Sequence, residues 1–131
     1  MSSPEVFVAV RELLTAELTD VPIVFPNEGD QPDSSMPWVY CEVAGTLSRR
    51  IELGNAAMEE RGIVWCHVYC PVGVGTLESR IICKRLSNIF RSARDSPVTF
   101  GDQRLGDGAQ GDDDGMLWLV SFSVDYSYQD R

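Results

Sequence analysis

Residues 62–70, with the sequence GIVWCHVYC, alternate two sets of side chains along the chain. One set holds the larger side chains Ile63, Trp65, His67 and Tyr69, and the other holds Val64, Cys66 and Val68. Successive side chains of a β-strand point to opposite faces of a sheet, and β-branched and aromatic residues favour that conformation. The stretch therefore predicts a strand that is apolar on both faces.

The flanking sequence predicts a second strand and a connection of unusual length. Trp38 to Leu47 has the same composition and no helical spacing, so we expect it to be a strand as well. Between the two strands, Ser48 to Arg61 is too long and too charged for a tight hairpin turn. We interpret this connection as an extended, charged hairpin arm.

Two helices are predicted around this pair of strands. The first has Ser3 as its N-cap and Pro4 as its first residue, followed by apolar residues at helical spacing: Val6, Phe7, Val10, Leu13, Leu14 and Leu18. The second has Thr76 as its N-cap and ends near Ala93. We expect it to be lined on one side by Leu77, Ile81, Ile82, Arg85, Leu86, Ile89 and Phe90.

The C-terminal part adds the remaining strands. Val98 to Phe100 predicts a short strand, Gly101 to Gly115 a Gly/Asp loop, and Met116 to Tyr128 the longest strand. In that strand we expect a core face with Trp118 and Phe122 and a largely solvated face with the serines. The order of elements predicts a single α+β domain over residues 1–131, with a mostly antiparallel sheet and both helices packed on one face.

Composition limits the classes of function. Eleven Lys and Arg against twenty Asp and Glu give a formal net charge of −9, which disfavours sequence-independent binding to nucleic acid. The sequence contains neither a membrane-spanning apolar run nor a secretory signal pattern, so we expect a cytosolic product. The four cysteines show no pairing pattern and are interpreted as buried free thiols.

Few residues suggest catalysis or a metal site. His67 is the only histidine, and strand periodicity places it on the opposite face from Cys66. The consecutive acids Asp112, Asp113 and Asp114 lack the alternating ligand spacing of a calcium loop. We therefore expect no enzyme, no cofactor and no metal. Apolar residues on both faces of small-domain strands suggest subunits that cover each other's sheets, although a monomer with a mixed second face explains the pattern too.

Several segments in order resemble one family. They are Phe25-Pro26-Asn27-Glu28-Gly29-Asp30, Pro37-Trp38-Val39, Gly62-Ile63-Val64, Pro71-Val72-Gly73-Val74-Gly75-Thr76 and the closing Asp125-Tyr126-Ser127-Tyr128. Together they resemble the tail terminator proteins of long-tailed phages and gene transfer agents, in the small-domain group similar to the lambda-type terminator. The resemblance covers most of the chain and implies an α+β fold.

The resemblance also implies a function and partners. It implies a structural virion protein that forms a six-membered ring at the head-proximal end of the tail tube, stops tube polymerisation and offers its other face to the head-side connector. Such a protein is assembled in the cytoplasm of the bacterial host, and DNA passes through its lumen without specific binding. Carboxylates would keep DNA from adhering there, so Asp112, Asp113 and Asp114 are our candidate lumen residues.

The charged arm is our candidate for contacts with other subunits or with the tube. Its candidate residues are Arg49, Arg50, Glu59, Glu60 and Arg61. Charge-complementary contacts set register more than affinity, which suits an assembly that must align its parts. An exposed hairpin without a partner explains the same charges. Two other interpretations stay open, namely another neck protein, such as a head-closure or tail-completion protein, and a small enzyme using Cys66, His67 or the Asp loop.

Overall fold

The computed structural model describes residues 3–26, 36–50, 57–73, 77–94, 96–106, 108–110 and 117–130. Two helices and six strands are present in these residues, in agreement with the predicted α+β class. The helices are α1 (Pro4–Glu17) and α2 (Leu77–Arg91). The strands are β1 (Ile23–Val24), β2 (Trp38–Arg50), β3 (Met58–Pro71), β4 (Val98–Leu105), β5 (Ala109–Gln110) and β6 (Leu117–Asp130). Neither helix in this part of the chain has the length and apolar character needed to cross a membrane.

The strands form one sheet in the order β1-β2-β3-β6-β4, with β5 also paired to β6. β1 runs parallel to β2, and the other pairs are antiparallel. β3 pairs with β6 over its whole length, from Met58 opposite Asp130 to Pro71 opposite Leu117. β3 therefore lies in the middle of the sheet, with hydrogen-bonded neighbours along both of its edges.

Both helices pack on the same face of the sheet, as predicted from the order of elements. On this covered face, Val64, Cys66 and Val68 of β3 are fully buried. The helices contribute Val6, Val10 and Leu14 from α1 and Ile82, Cys83, Leu86 and Phe90 from α2 to the same core. Each large aliphatic side chain buried here contributes about 1.5–3 kcal/mol, so this face carries most of the apolar stabilisation.

The start of α1 differs from the prediction in one respect. Ser3 occupies the N-cap position with extended backbone, and its carbonyl accepts the amide of Phe7, but its hydroxyl makes no capping hydrogen bond. Its backbone amide instead donates to the Glu60 carboxylate at 3.0 Å. A side chain that is 57 residues away in the sequence therefore takes the place of a local cap.

Helix α2 exposes two residues that were expected to line its inner side. Leu77 is 68% exposed and Ile81 is 50% exposed, whereas Ile82 and Leu86 are buried. Helical spacing alone could not separate these residues, because the side that faces the sheet depends on how the helix is rotated when it docks. The helix ends at Arg91, two residues before the predicted end, and Thr76 lies outside the described residues.

The segment after Phe100 was predicted to be a loop, and this prediction is wrong for residues 101–105 and 109–110. β4 continues to Leu105, with a register shift between Phe100 and Gln103 where the backbone bulges, and β5 follows. The long strand β6 provides partners for Phe100 and for Gln103 to Leu105, so the strand continues past Gly101 and Asp102, which form the bulge.

One residue on the predicted solvated side of the last strand is buried. Ser123 is only 2% exposed. It lies between Trp65 of β3 and Arg104 of β4 in the sheet register, and these two long side chains flank it on the same face. Short side chains on a strand are shielded when large residues occupy the neighbouring strands.

Candidate functional site

The second face of the sheet is the candidate functional surface. The helices α1 and α2 both pack on the other side, so within the described chain this face is left to its own side chains. It is built from aromatic rings, namely Trp38 and Tyr40 of β2 and Trp65, His67 and Tyr69 of β3. We call this surface the open face. The period of two residues in β2 and β3 places these rings opposite the core residues between them.

The rings of the open face pack against one another across the two strands. Trp38 stacks on Tyr69 with ring centroids 4.4 Å apart and an interplanar angle of 12°. The ring of His67 lies 5.9 Å from Trp65 and 6.3 Å from Tyr40. Partial burial raises the pKa of Tyr69, so its hydroxyl remains a hydrogen-bond donor at neutral pH. The result is a preorganised aromatic layer of the kind found at protein interfaces.

His67 is held in place at the centre of this layer. Its Nδ1 is hydrogen-bonded with the Ser121 hydroxyl at 2.8 Å, and its Nε2 lies 4.0 Å from a carboxylate oxygen of Glu42. His67 and Cys66 point to opposite faces, and Cys66 is fully buried opposite Cys41 on β2. The hydrogen bond with Cys41 and burial both raise the pKa of the Cys66 thiol. These residues therefore do not form a nucleophile and base pair.

All four cysteines are buried free thiols, as predicted. Burial also raises the pKa of Cys83 to about 11, which leaves its thiol protonated and unreactive at neutral pH. Among the described residues, His, Cys, Asp and Glu side chains do not gather in any group of three that could hold a metal ion.

The predicted arm is present in its described part as the continuation of β2 and β3, and β6 pairs with β3 up to Met58. Arg49 is paired with Glu59 across the strands. The Glu59 carboxylate accepts from Arg61 Nε at 2.6 Å and from Arg49 Nη2 at 3.4 Å. The guanidinium of Arg61, helped by that of Arg49, lowers the pKa of Glu59. These three residues extend the open face with a charged cluster that carries one net positive charge.

The other two candidate residues of the arm lie on the opposite, covered face. Glu60 accepts hydrogen bonds from the Ser3 amide and from the Tyr126 hydroxyl. Burial, and then the bond to Glu60, raises the pKa of Tyr126. The carboxylate also lies at the positive end of the α1 dipole, where negative charge is stabilised. Arg50 shares this side of the arm with Met58.

The structure thus brings together Arg49, Glu59 and Arg61 from the predicted candidates and separates them from Arg50 and Glu60. The candidate lumen residues Asp112, Asp113 and Asp114 lie outside the described residues. The aromatic residues of the open face were not among the candidates, although the alternation in residues 62–70 had indicated a second apolar face. Only the strand register shows that Trp38 and Tyr69 form one layer with His67.

Comparison with known proteins agrees with this architecture. No curated protein matches the sequence. One solved structure superimposes with a TM-score of 0.73 at 19% sequence identity, covering 100% of this chain and 98% of that chain, which shows a shared fold. The family model described as "Phage tail terminator protein" matches residues 5–126. The chain therefore belongs to the phage tail terminator protein family, and its role is a structural one in the phage tail.

Proposed function

We propose that six copies of this chain form a ring that caps the tail tube of a long-tailed phage or gene transfer agent. The ring ends tube polymerisation and provides the attachment surface for the head-side connector protein. The observation that carries the proposal is the open face, an aromatic layer continuous with the Arg49, Glu59 and Arg61 cluster. Large rings fixed in place lose little conformational entropy on binding, which suits a permanent protein contact.

The arm supports the same function. Its candidate contact residues are Arg49, Arg50, Glu59, Glu60 and Arg61, and the two faces of the arm divide them into two groups. Arg49, Glu59 and Arg61 are presented on the open-face side, where they set the register of a subunit or tube contact. Glu60 is a positioning residue, because it ties the base of the arm to α1 through the Ser3 amide.

The acidity of the chain suits a channel for DNA. In this proposal Asp112, Asp113 and Asp114 line the lumen, and their carboxylates keep the phosphates of the passing DNA from binding. The formal net charge of −9 has the same effect over the rest of the ring. The function requires neither a catalytic residue nor a cofactor, and it places the protein in the virion at the head-proximal end of the tail.

The experiment is to incubate the purified protein with tail tubes and to image the tube ends by negative-stain electron microscopy. Light scattering gives the mass of the protein alone and with tubes. We expect rings at one end of each tube and no further growth of the tube at that end. Binding to head connectors with no binding to tubes would instead identify another neck protein, such as a head-closure protein. A monomer that binds neither would contradict the proposed function.

A further inference from the structure

The basic residues of this acidic chain are concentrated on α2 and in the three residues after it. Five of the eleven Lys and Arg residues lie in residues 77–94, which contain a single carboxylate, Glu78. The other nineteen acids lie elsewhere in the chain. The rest of the chain therefore carries a large formal excess of negative charge, which favours an approach of this helix to an acidic surface on a second copy.

The outer side of α2 combines positive charge with exposed apolar side chains. Leu77 and Ile81 are the exposed large residues described above, and Arg80 and Lys84 alternate with them on the same turns. Exposed Leu105 of β4 adjoins them, since it lines the same hollow as Arg80. We call Leu77, Arg80, Ile81 and Lys84 the α2 ridge. Apolar residues rimmed by cations at this density are typical of a contact with an acidic, partly apolar surface.

A groove lined by apolar side chains and carboxylates lies beside α1. It has a volume of about 730 Å³ and runs between α1 and the residues Ser92, Ala93, Arg94, Ser96 and Pro97. Its apolar lining includes Val8, Ala9 and Leu13, and the charged residues that line it in the described chain are Glu5, Glu12, Glu17 and Arg94. Within the described part of the chain these three carboxylates make no ion pair. We call this surface the α1 groove.

The ridge cannot fill the groove of its own chain. The ridge occupies the first half of α2, whereas the groove borders the segment after its last turn. The last helical residue, Arg91, comes seven residues after Lys84, so at 1.5 Å per residue the end of the helix lies roughly 10 Å beyond the ridge. Two different complementary patches on one molecule give a head-to-tail contact, which repeats from copy to copy and closes into a ring if the rotation allows.

From this juxtaposition we infer that the α2 ridge of one copy docks into the α1 groove of the next copy. The inference rests on the proposed ring and deepens it by naming the surfaces between subunits. Leu77 and Ile81 enter the apolar floor of the groove, and Arg80 and Lys84 meet Glu12 and Glu17 at its rim. The open face and the arm are then left for the tube or the connector.

Charge reversal tests the contact. The ridge variant carries Arg80→Glu with Lys84→Glu, and the groove variant carries Glu12→Lys with Glu17→Lys. Self-association by sedimentation velocity and ring formation on tail tubes are both measured. We expect each variant alone to associate at least about tenfold more weakly than the wild type, because like charges then face each other across the contact.

Two controls separate a broken contact from a damaged fold. A chain with all four changes keeps the formal net charge of the wild type and should assemble again. An equimolar mixture of the two variants should assemble as well, because the reversed ridge complements the reversed groove and the native pair remains. Failure of both controls, or full assembly of either single variant, would overturn the inference.

Comparing the wild type with the two variants separates failure of the subunit contact from failure of the capping function. If wild-type rings cap the tubes and both variants do so equally well, the ridge and groove are not the subunit contact, and the capping function stands. If the wild type neither associates nor caps tubes, the ring itself is contradicted and the inference fails with it.

Discussion

The two faces of the sheet are built from the same strands and differ in what covers them. On β3, Val64, Cys66 and Val68 are sealed under the helices, while Trp65, His67 and Tyr69 between them form half-buried rings on the open face. On this strand the covered face has only valine and cysteine side chains, which fit under the two helices, whereas the open face has flat rings packed on each other. The difference indicates that one face maintains the fold and the other is available for partners.

The largest effect should follow from a cavity under the helices. Leu86→Ala removes a fully buried side chain of α2. We expect a loss of about 2–5 kcal/mol in the free energy of unfolding, because the burial of the removed atoms is lost and an unfilled cavity remains. Urea denaturation followed by circular dichroism measures this loss. A loss below about 1 kcal/mol would mean that packing under the helices does not determine the stability of the fold.

Neighbouring residues on β2 give the sharpest test of the two faces. Tyr40 is on the open face and Val39 is fully buried on the covered face. We expect Tyr40→Ala to weaken capping of tail tubes by roughly thirtyfold, the size of a contact with an interface hot spot. Val39→Ala should cost about 2 kcal/mol of folding stability and leave capping per folded molecule unchanged. Capping titrations and urea denaturation of both variants make the comparison, and the opposite result would reverse the roles of the faces.

A smaller effect is expected where the covered face meets the base of the arm. Tyr126→Phe removes the hydrogen bond to Glu60, and we expect a loss of about 1–2 kcal/mol at neutral pH. The pKa of Tyr126 is raised above its ordinary value of 10.0 in the folded protein. Its contribution is therefore complete below pH 10 and is lost as the pH rises above that value.

The pH dependence distinguishes this bond from simple packing. Unfolding free energies of wild type and Tyr126→Phe, measured from neutral pH to above pH 10, should converge on the alkaline side. A constant difference over the whole range would show that the hydroxyl acts through packing and not through its proton.

The smallest effect on stability should come from the charged cluster of the arm. We expect Glu59→Gln to leave the thermal midpoint nearly unchanged at neutral pH, since both arginines that pair with Glu59 are exposed and such pairs contribute little. The pKa of Glu59 lies below its ordinary value of 4.5, so any contribution exists above that pH and disappears as the carboxylate is protonated. Capping by Glu59→Gln should in contrast weaken and lose part of its salt dependence. A stability change larger than that of Tyr126→Phe would contradict a role in partner contact.

The alternation in residues 62–70 was enough to predict the central strand and its two apolar faces, because the period of two is a local property of the backbone. The two helices were also predicted from local sequence, namely from the helical spacing of apolar residues and from the turn-forming residues at their ends. Which side of α2 is buried could not be predicted, since Leu77 and Ile82 fit one broad stripe equally well until the helix docks. The strand at residues 101–105 was missed because pairing with β6 is a long-range interaction.

The candidate surface was only partly accessible to sequence reasoning. Charge alone selected Arg49, Glu59 and Arg61 together with Glu60, although alternation along β3 places Glu60 on the other side. Placing Arg49 on the same side as Glu59, in contrast, depends on the strand register past the irregularity between Gly45 and Leu47 of β2. The stacking of Trp38 on Tyr69 joins residues 31 positions apart, and nothing local to either residue encodes it.

The two ends of the described chain meet at the base of the arm. The Ser3 amide binds Glu60, and Asp130 is paired with Met58. Ser3 and Asp130 therefore both lie close to the arm, Ser3 on the side opposite Arg49 and Glu59 and Asp130 level with Met58. An affinity tag or fluorescent fusion at either end would stand next to the surface proposed for partner contact, and a tagged protein that fails to cap tubes would give a false negative unless the tag is cleaved first.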